Sequence, residues 1–489
     1  MRMTQSELSD YLLDSDSSVR DAMKRLDEGG RKILFVESAG EFRGSLTDSD
    51  IRRFLLAGGD IDLGALAATN ENAKFLREGY SREELNALLL PTLEALPVVS
   101  SDRKVVEIIT RSSSTIIPVC EPNLSTYERD AILSAFDSGW ISSTGPFVAQ
   151  FEEEFQEFLG FGNTVSTSNG TQALALALIA LGIGPGDEVI IPNLTFGATA
   201  NAVIQVGARP VLADVLPEDW NICPEDARRR ISHRTKAVIP VHLYGFPAAS
   251  QELQRLAQDY GLKIVEDAAE ALGTYDSGEH VGRRSDAVCF SFFGNKLITT
   301  GEGGMVAFSD RAISERAKRI RAHGFSAKRR YWHEDWGTNV RLTNLQAALG
   351  SAQLRRVEVL LSRKVQNAAT YNRAFVDLTG HTLEIQKTRP NGSSSYWLYT
   401  ILLPEGIDVP SCALQLEELG IETRPVFPPL HTQPAFSKYA SGHYPVSSAI
   451  SKRGLSLPSS STLSDSDVRR VAEAVVSVIA TLKGPNQQG

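Results

Sequence analysis

Lys296 stands where an amine could do chemistry. It lies in Ser291-Phe-Phe-Gly-Asn-Lys-Leu-Ile-Thr-Thr-Gly-Glu-Gly-Gly304, after an apolar β-type run and ahead of a run of glycines. An amine at a strand-to-loop junction among small residues can reach an enclosed ligand. Desolvation or a nearby positive charge favours the neutral form that attacks a carbonyl carbon. The competing reading is an exposed loop lysine. Asp267 closes the run Lys263-Ile-Val-Glu-Asp267. A carboxylate at the carboxyl end of a strand points into the crevice where parallel sheets bind ligands, and there it can pair with the cationic nitrogen of a heterocycle. The competing reading is an N-cap for a helix starting at Ala268. Asn169-Gly-Thr171 precedes an apolar helix predicted over 172–181. Backbone N–H groups at a helix start bind phosphate, Gly170 permits close approach, and Ser291 offers a hydroxyl; the competing reading is a plain capped helix. Phe196 follows the strand predicted over 189–191, where a flat ring can stack on a flat ligand or simply fill the core.

The elements that must position these residues form a long α/β pattern from about residue 118. Strand-like runs fall at 189–191, 210–212, 237–241, 263–265, 288–292 and 305–308, with helical segments such as 250–260 between them. That alternation implies a mostly parallel, helix-covered sheet. A long helix is expected over 344–375, then a strand at 396–403 and a helix at 464–482. The part before residue 111 reads differently. Strands are expected at 33–36 and 42–46, with a helix at 49–56 behind the cap types Thr47 and Asp48. A second unit follows, with a helix at 83–90, a strand at 95–99 and a helix at 105–109, so an internal repeat is expected. The polar, serine-rich 111–115 reads as a linker. The division expected is 1–115, 116–365 and 366–489.

A chain of 489 residues exceeds one ordinary core. A net charge of -9 argues against nonspecific nucleic-acid binding, which needs a basic surface. Cys120, Cys223, Cys289 and Cys412 are far apart, so neither a zinc site nor a disulfide framework is suggested, and reduced thiols in a cytoplasm are expected. No metal is expected. The first ten residues lack the apolar region of a signal peptide, and no apolar stretch reaches membrane length. A soluble, cytoplasmic protein is expected.

From about 118 to 482 the chain resembles the DegT/StrS family of nucleotide-sugar aminotransferases, enzymes of pyridoxal 5'-phosphate (PLP) fold type I. The resemblance rests on motifs in the family's order: Gly139-Trp-Ile-Ser-Ser-Thr-Gly145, Asn169-Gly-Thr171, Pro240-Val-His-Leu-Tyr-Gly245, Glu266-Asp-Ala-Ala269, the Lys296 segment, Gly337-Thr-Asn-Val-Arg-Leu-Thr-Asn-Leu-Gln-Ala347 and Arg424-Pro-Val-Phe427. Within the family, Phe292-Phe-Gly-Asn-Lys296 and Arg330-Tyr-Trp332 are most similar to GDP-perosamine synthases. The resemblance implies a large PLP-binding α/β domain with a mostly parallel sheet and a small C-terminal α+β domain. It implies that Lys296 forms the Schiff base to the cofactor, Asp267 pairs with its pyridine nitrogen and Phe196 stacks on its ring, while Gly170, Thr171 and Ser291 hold its phosphate. Glu270 stands where the family often has Gln, near the cofactor's phenolic oxygen. Asn339 is implied to reach the phosphate in a neighbouring subunit, hence a homodimer with shared active sites. Some relatives carry His in place of the lysine and dehydrate instead; Lys296 sets this chain apart from them. The implied reaction moves an amino group, from L-glutamate, to a nucleotide-linked 4-keto-6-deoxy sugar. GDP-4-keto-6-deoxymannose is favoured; the alternatives are a UDP-linked N-acetylated 4-keto sugar, or an idle nucleotide-sensing regulator. The N-terminal part resembles a tandem cystathionine-β-synthase-type (CBS) module: Gly44-Ser-Leu-Thr-Asp-Ser-Asp-Ile-Arg52 matches its Gly-x-x-Thr-x-x-Asp pattern. This implies Thr47 and Asp50 as nucleotide contacts. The second repeat lacks the pattern, so a structural or dimerising role stands beside nucleotide sensing.

Overall fold

The computed structural model describes residues 8–28, 33–81, 84–85, 88, 95–110, 116–326, 328–381 and 383–483. The linker expected at 111–115 and most of the helix expected at 83–90 lie outside the described residues. The chain divides into two compact units, Met1–Ile116 and Ile117–Gly489.

The first unit holds two three-stranded sheets built alike. In one, β1 (Leu12–Asp14) runs parallel to β2 (Ile33–Ser38), which pairs antiparallel with β3 (Glu41–Thr47). In the other, β4 (Leu76–Arg77) runs parallel to β5 (Ala95–Val99), which pairs antiparallel with β6 (Val105–Thr110). The repeat is therefore structural, but the segment expected as a helix at 105–109 is the strand β6. Val-Val-Glu-Ile-Ile is rich in β-branched residues, which lose rotamer freedom in a helix and pack well on a pleated surface. Helices α1 (Val19–Glu28) and α2 (Asp48–Leu56) cover the first sheet, with Leu13, Val19, Leu26, Leu34, Val36 and Ile51 in the core.

The second unit is built on a seven-stranded sheet. Its strands are β7 (Asn163–Thr167), β8 (Glu188–Pro192), β9 (Arg209–Ala213), β10 (Thr235–Val238), β11 (Lys263–Asp267), β12 (Ala287–Ser291) and β13 (Gly304–Phe308), in spatial order β7-β13-β12-β11-β10-β8-β9. The pairs β8–β9, β8–β10, β10–β11 and β11–β12 are parallel, while β13 runs antiparallel to both its neighbours. β10 stops at Val238, short of the run expected to 241, because Pro240 has no N–H for the ladder. The Pro240 carbonyl still accepts the Asp267 amide at 2.8 Å. Helix α3 (Gly170–Ala180) is apolar all round and buried, as a helix packed on every side must be.

The single helix expected over 344–375 is two, α4 (Asn344–Leu354) and α5 (Val357–Thr379). Arg356 leaves helical geometry at φ -106° and ψ 1°. Its guanidinium donates to the buried Glu128 carboxylate at 2.7 Å and to Asn123 at 2.8 Å. After α5, β14 (Glu384–Ile385), β15 (Tyr399–Leu402), β16 (Arg424–Pro425) and β17 (Gly454–Leu457) form a four-stranded sheet, order β14-β15-β17-β16, backed by α6 (Asp465–Lys483). Among the described residues no helix is long and apolar enough to cross a membrane.

Candidate active site

Asp267 is fixed first through its backbone. Beyond the end of β10 its amide donates to the Pro240 carbonyl and its own carbonyl accepts the His242 amide at 3.0 Å. No helix begins at Ala268; residues 268–274 form turns, so Asp267 is not a helix cap. Its carboxylate is buried, with Oδ2 accepting from Thr199 Oγ1 at 2.8 Å and Oδ1 accepting from the Ala269 amide at 3.1 Å. Burial pushes its pKa up, and the hydrogen bond from Thr199 opposes the shift. The neighbouring Glu266 points to the other face of the sheet, as strand alternation requires. There its Oε2 accepts from His242 Nε2 at 2.8 Å. His242 Nδ1 accepts the Ala248 amide at 3.0 Å, so the ring proton sits on Nε2.

Lys296 enters from the loop after β12. Its Nζ lies 3.7 Å from Glu270 Oε1 and 3.7 Å from the centroid of the Trp397 ring. The side chain is 13% exposed, which rules out the reading of an exposed loop lysine. Burial lowers its pKa, and the charges of Glu270 and Asp267 oppose the shift. Glu270 Oε2 accepts the Tyr244 amide at 2.8 Å, and burial pushes the Glu270 carboxyl from 4.5 up to about 7. Tyr244 holds that amide in place from a left-handed backbone, φ 54° and ψ 16°. Such a conformation costs a non-glycine residue on the order of 1–3 kcal/mol. It persists because Tyr244 is buried, stacked on Trp397 and tilted against Phe427.

Gly170 opens α3 directly against Ser291. A Cβ on Gly170 would stand 2.8 Å from the Ser291 Cβ and 3.2 Å from its Oγ, so only glycine fits. The Asn169 side chain caps the helix at the Gln172 amide, 2.9 Å, which leaves Gly170 and Thr171 at the mouth of the helix, between the cap residue and the amide it binds. Thr171 and Ser291 are half-buried. Phe196 is 62% exposed, its ring 5.7 Å from that of Phe427, and so is no core residue. Asn339 is exposed and its Oδ1 accepts from Arg341 Nε at 2.9 Å; the next residue, Val340, accepts the Ser168 amide at 2.8 Å.

The fold thus brings Lys296, Asp267 and Glu270 together, and separately sets Ser291 against Gly170. The sequence reading missed Thr199, Tyr244 and Trp397. Tyr244 lies inside a motif quoted for the family resemblance, which was the available signal; the other two sit in ordinary α/β text. In the first unit, Thr47 and Asp50 meet in a capping box on α2, with Asp50 Oδ2 accepting from the Thr47 amide and hydroxyl at 2.9 and 2.6 Å. Arg53 binds the remaining Asp50 oxygen at 2.6 Å.

These residues fit PLP. A buried, loosely protonated amine suits Schiff-base chemistry. A buried carboxylate suits a cationic ring nitrogen, and a helix mouth cleared by Gly170 suits a phosphate.

The model of the DegT/DnrJ/EryC1/StrS aminotransferase family matches residues 122–476, and that of the CBS domain matches residues 9–57. The chain is 40% identical over 365 residues to GDP-perosamine synthase of Caulobacter vibrioides, covering 74% of this chain and 98% of that protein. It is 42% identical over 363 residues to GDP-perosamine synthase of Vibrio cholerae, covering 74% and 98%. Among solved structures it is similar to the aminotransferase TlmJ from Streptoalloteichus hindustanus, with a TM-score of 0.70 and 32% identity over 75% of this chain and 99% of that one.

Proposed function

The chain belongs to the DegT/DnrJ/EryC1/StrS aminotransferase family, as a PLP-dependent sugar aminotransferase preceded by a CBS domain, and on that premise we propose that it transfers an amino group from L-glutamate to GDP-4-keto-6-deoxymannose, giving GDP-perosamine. The observation that carries the choice of sugar is identity of 40–42% to two GDP-perosamine synthases across 98% of their length.

The cofactor supplies an electron sink that lets the α-hydrogen of the amino donor leave as a proton. The chain's own residues do the rest. Lys296 holds the cofactor and, once released, moves the proton as base and acid; its burial favours the neutral amine that the first of these steps needs. Asp267 places a carboxylate against the ring nitrogen. Burial disfavours that charge, but a cationic partner within reach restores it, and the Thr199 hydroxyl keeps the acceptor oxygen aimed. Phe196 covers a ring face, and Gly170, Thr171 and Ser291 receive the phosphate. Glu270, anchored by the Tyr244 amide, stands beside the Lys296 amine. Asn339, exposed and bonded to Arg341, reaches the phosphate in a second copy, so the enzyme is a homodimer with shared sites.

Incubation with L-glutamate and a panel of GDP-, UDP- and dTDP-linked 4-keto sugars, followed by mass spectrometry, tests the reading. Amination of the GDP-linked 4-keto-6-deoxy sugar is the expected result. Selective amination of a UDP-linked N-acetylated sugar would replace the substrate, and no amination of any would favour an idle regulator.

A further inference from the structure

Lys296 is gripped at two points by one residue. The Trp397 ring faces the Lys296 amine, with Nζ 3.7 Å from the ring centroid. The same indole donates its Nε1–H to the carbonyl of Asn295, the residue before Lys296, at 2.8 Å. Trp397 is itself held on both sides. Its carbonyl accepts from the buried Lys364 Nζ at 2.9 Å, and its ring is stacked on Tyr244 at 6.2 Å and 17°. Tyr244 in turn donates its amide to Glu270, whose other oxygen lies 3.7 Å from the Lys296 amine.

We propose that Trp397 is a positioning residue for transamination: its ring face and N–H, together with Glu270, form a berth that fixes the Lys296 amine whenever that amine is not bonded to the cofactor. The proposal rests on the reading of Lys296 as the cofactor lysine. Transamination releases this amine and takes it back. A released lysine has a flexible four-carbon stem, and an unfixed amine would lose the alignment that proton transfer needs. The berth removes that freedom at both ends of the side chain. The backbone is tied through Asn295, and the amine contacts both an aromatic face and a carboxylate. An indole face attracts the ammonium form within about 6 Å of its centroid, so the berth also sets how readily the amine gives up its proton.

A core role alone would also explain a buried tryptophan, since Trp397 packs with Leu243, Tyr244 and Leu398. The two roles differ in what they change at Lys296. The test uses the full-length chain freed of cofactor, pulse-labelled with acetic anhydride across a pH series, with acetylation of Lys296 read by peptide mass spectrometry. In Trp397→Leu the midpoint for Lys296 should fall by about one pH unit, because the ammonium loses the aromatic face. Trp397→Phe keeps a face but no N–H: its midpoint should stay within a few tenths of a unit of the parent, while its capture of added PLP, followed by the absorbance of the Schiff base, should slow several-fold. Should Trp397→Leu fail to fold, the capture rate of Trp397→Phe decides. Lower melting temperatures with unchanged Lys296 midpoints and capture rates would overturn the berth and leave Trp397 a core residue. Borohydride reduction of the parent with PLP, then peptide mapping, keeps the two readings apart. An adduct on another lysine defeats the reading of Lys296, whereas an adduct on Lys296 with unmoved variants defeats the berth alone.

Discussion

Glu270→Gln should flatten the pH dependence of stability of the cofactor-free chain in one window. Burial raises the Glu270 carboxyl from 4.5 to about 7, against the opposing charge of Lys296. The folded state therefore holds this proton more tightly than the unfolded state does. The stability so contributed is fully present below about pH 4.5 and is lost as pH rises through about 7. At 1.36 kcal/mol per pH unit the window is worth about 3 kcal/mol. Glutamine keeps an oxygen to accept the Tyr244 amide but has nothing to ionise. Urea unfolding of parent and variant at intervals from pH 4 to pH 8 measures the difference directly, because every other titrating group is common to both. The parent should lose on the order of 3 kcal/mol relative to the variant between about pH 4.5 and 7.5, and the difference should level off above that. Parallel curves would show that Glu270 ionises freely where it stands, and the reasoning from its burial would fail.

Four further outcomes follow from the same structure. Asp267→Asn keeps the shape that Thr199 and Ala269 hold but removes the charge, and steady-state turnover should fall by about a hundredfold or more; Thr199→Val, which removes only the aiming hydroxyl, should fall by about tenfold. Lys296→Ala and Asn339→Ala chains, each inactive alone, should regain part of the parent activity when unfolded and refolded together, since one site of each mixed dimer keeps both residues; confirmed mixed dimers without activity would refute the shared site. A chain starting at Ser114 should fold, take up PLP and transaminate. It keeps Ile117, whose amide bonds the Gly420 carbonyl at 2.8 Å, and the second unit has its own buried clusters. Uptake is read by absorbance, and a soluble truncated chain that cannot bind PLP would overturn the division.

The parts of this fold that were legible in the sequence are those in which local pattern and tertiary role agree. The apolar runs at 189–191 and 305–308 are buried strands because nothing but a sheet covered on both faces would suit them. Thr47 and Asp48 marked the start of α2 because a cap is written in the residues that make it. The strand at 105–110 and the stop of β10 before Pro240 were misread although local residues decide them, whereas two other errors fell where a distant partner decides. The break after Leu354 is set by Glu128, more than two hundred residues away in sequence. The strand β7 pairs with β13, far along the chain, and its sequence Asn-Thr-Val-Ser-Thr lacks the apolar run that flags a buried strand. The site divides in the same way. Lys296 and Asp267 were legible because Asp267 ends a strand and Lys296 lies in the loop that follows one. Trp397 and Thr199 were not, because their relevance lies wholly in what the fold sets beside them.

That division explains why the three ionisable groups of the site must be considered as one. Burial alone would drive Lys296, Asp267 and Glu270 each toward the neutral form, and it is the leading cause of every one of their shifts. Their mutual charges oppose it in two of the three directions: Lys296 favours both carboxylates, both carboxylates favour the ammonium, and only the two acids resist each other. A proton taken from or given to any one of them therefore changes the cost of charging the other two. A ligand that brings a cation to Asp267 offsets the cost of burying its charge, and through the shared charges alters how Glu270 and Lys296 hold their protons. In this site Asp267 and Glu270 are separate in position but linked in charge, which is why the Glu270 titration is the measurement that reports on all three.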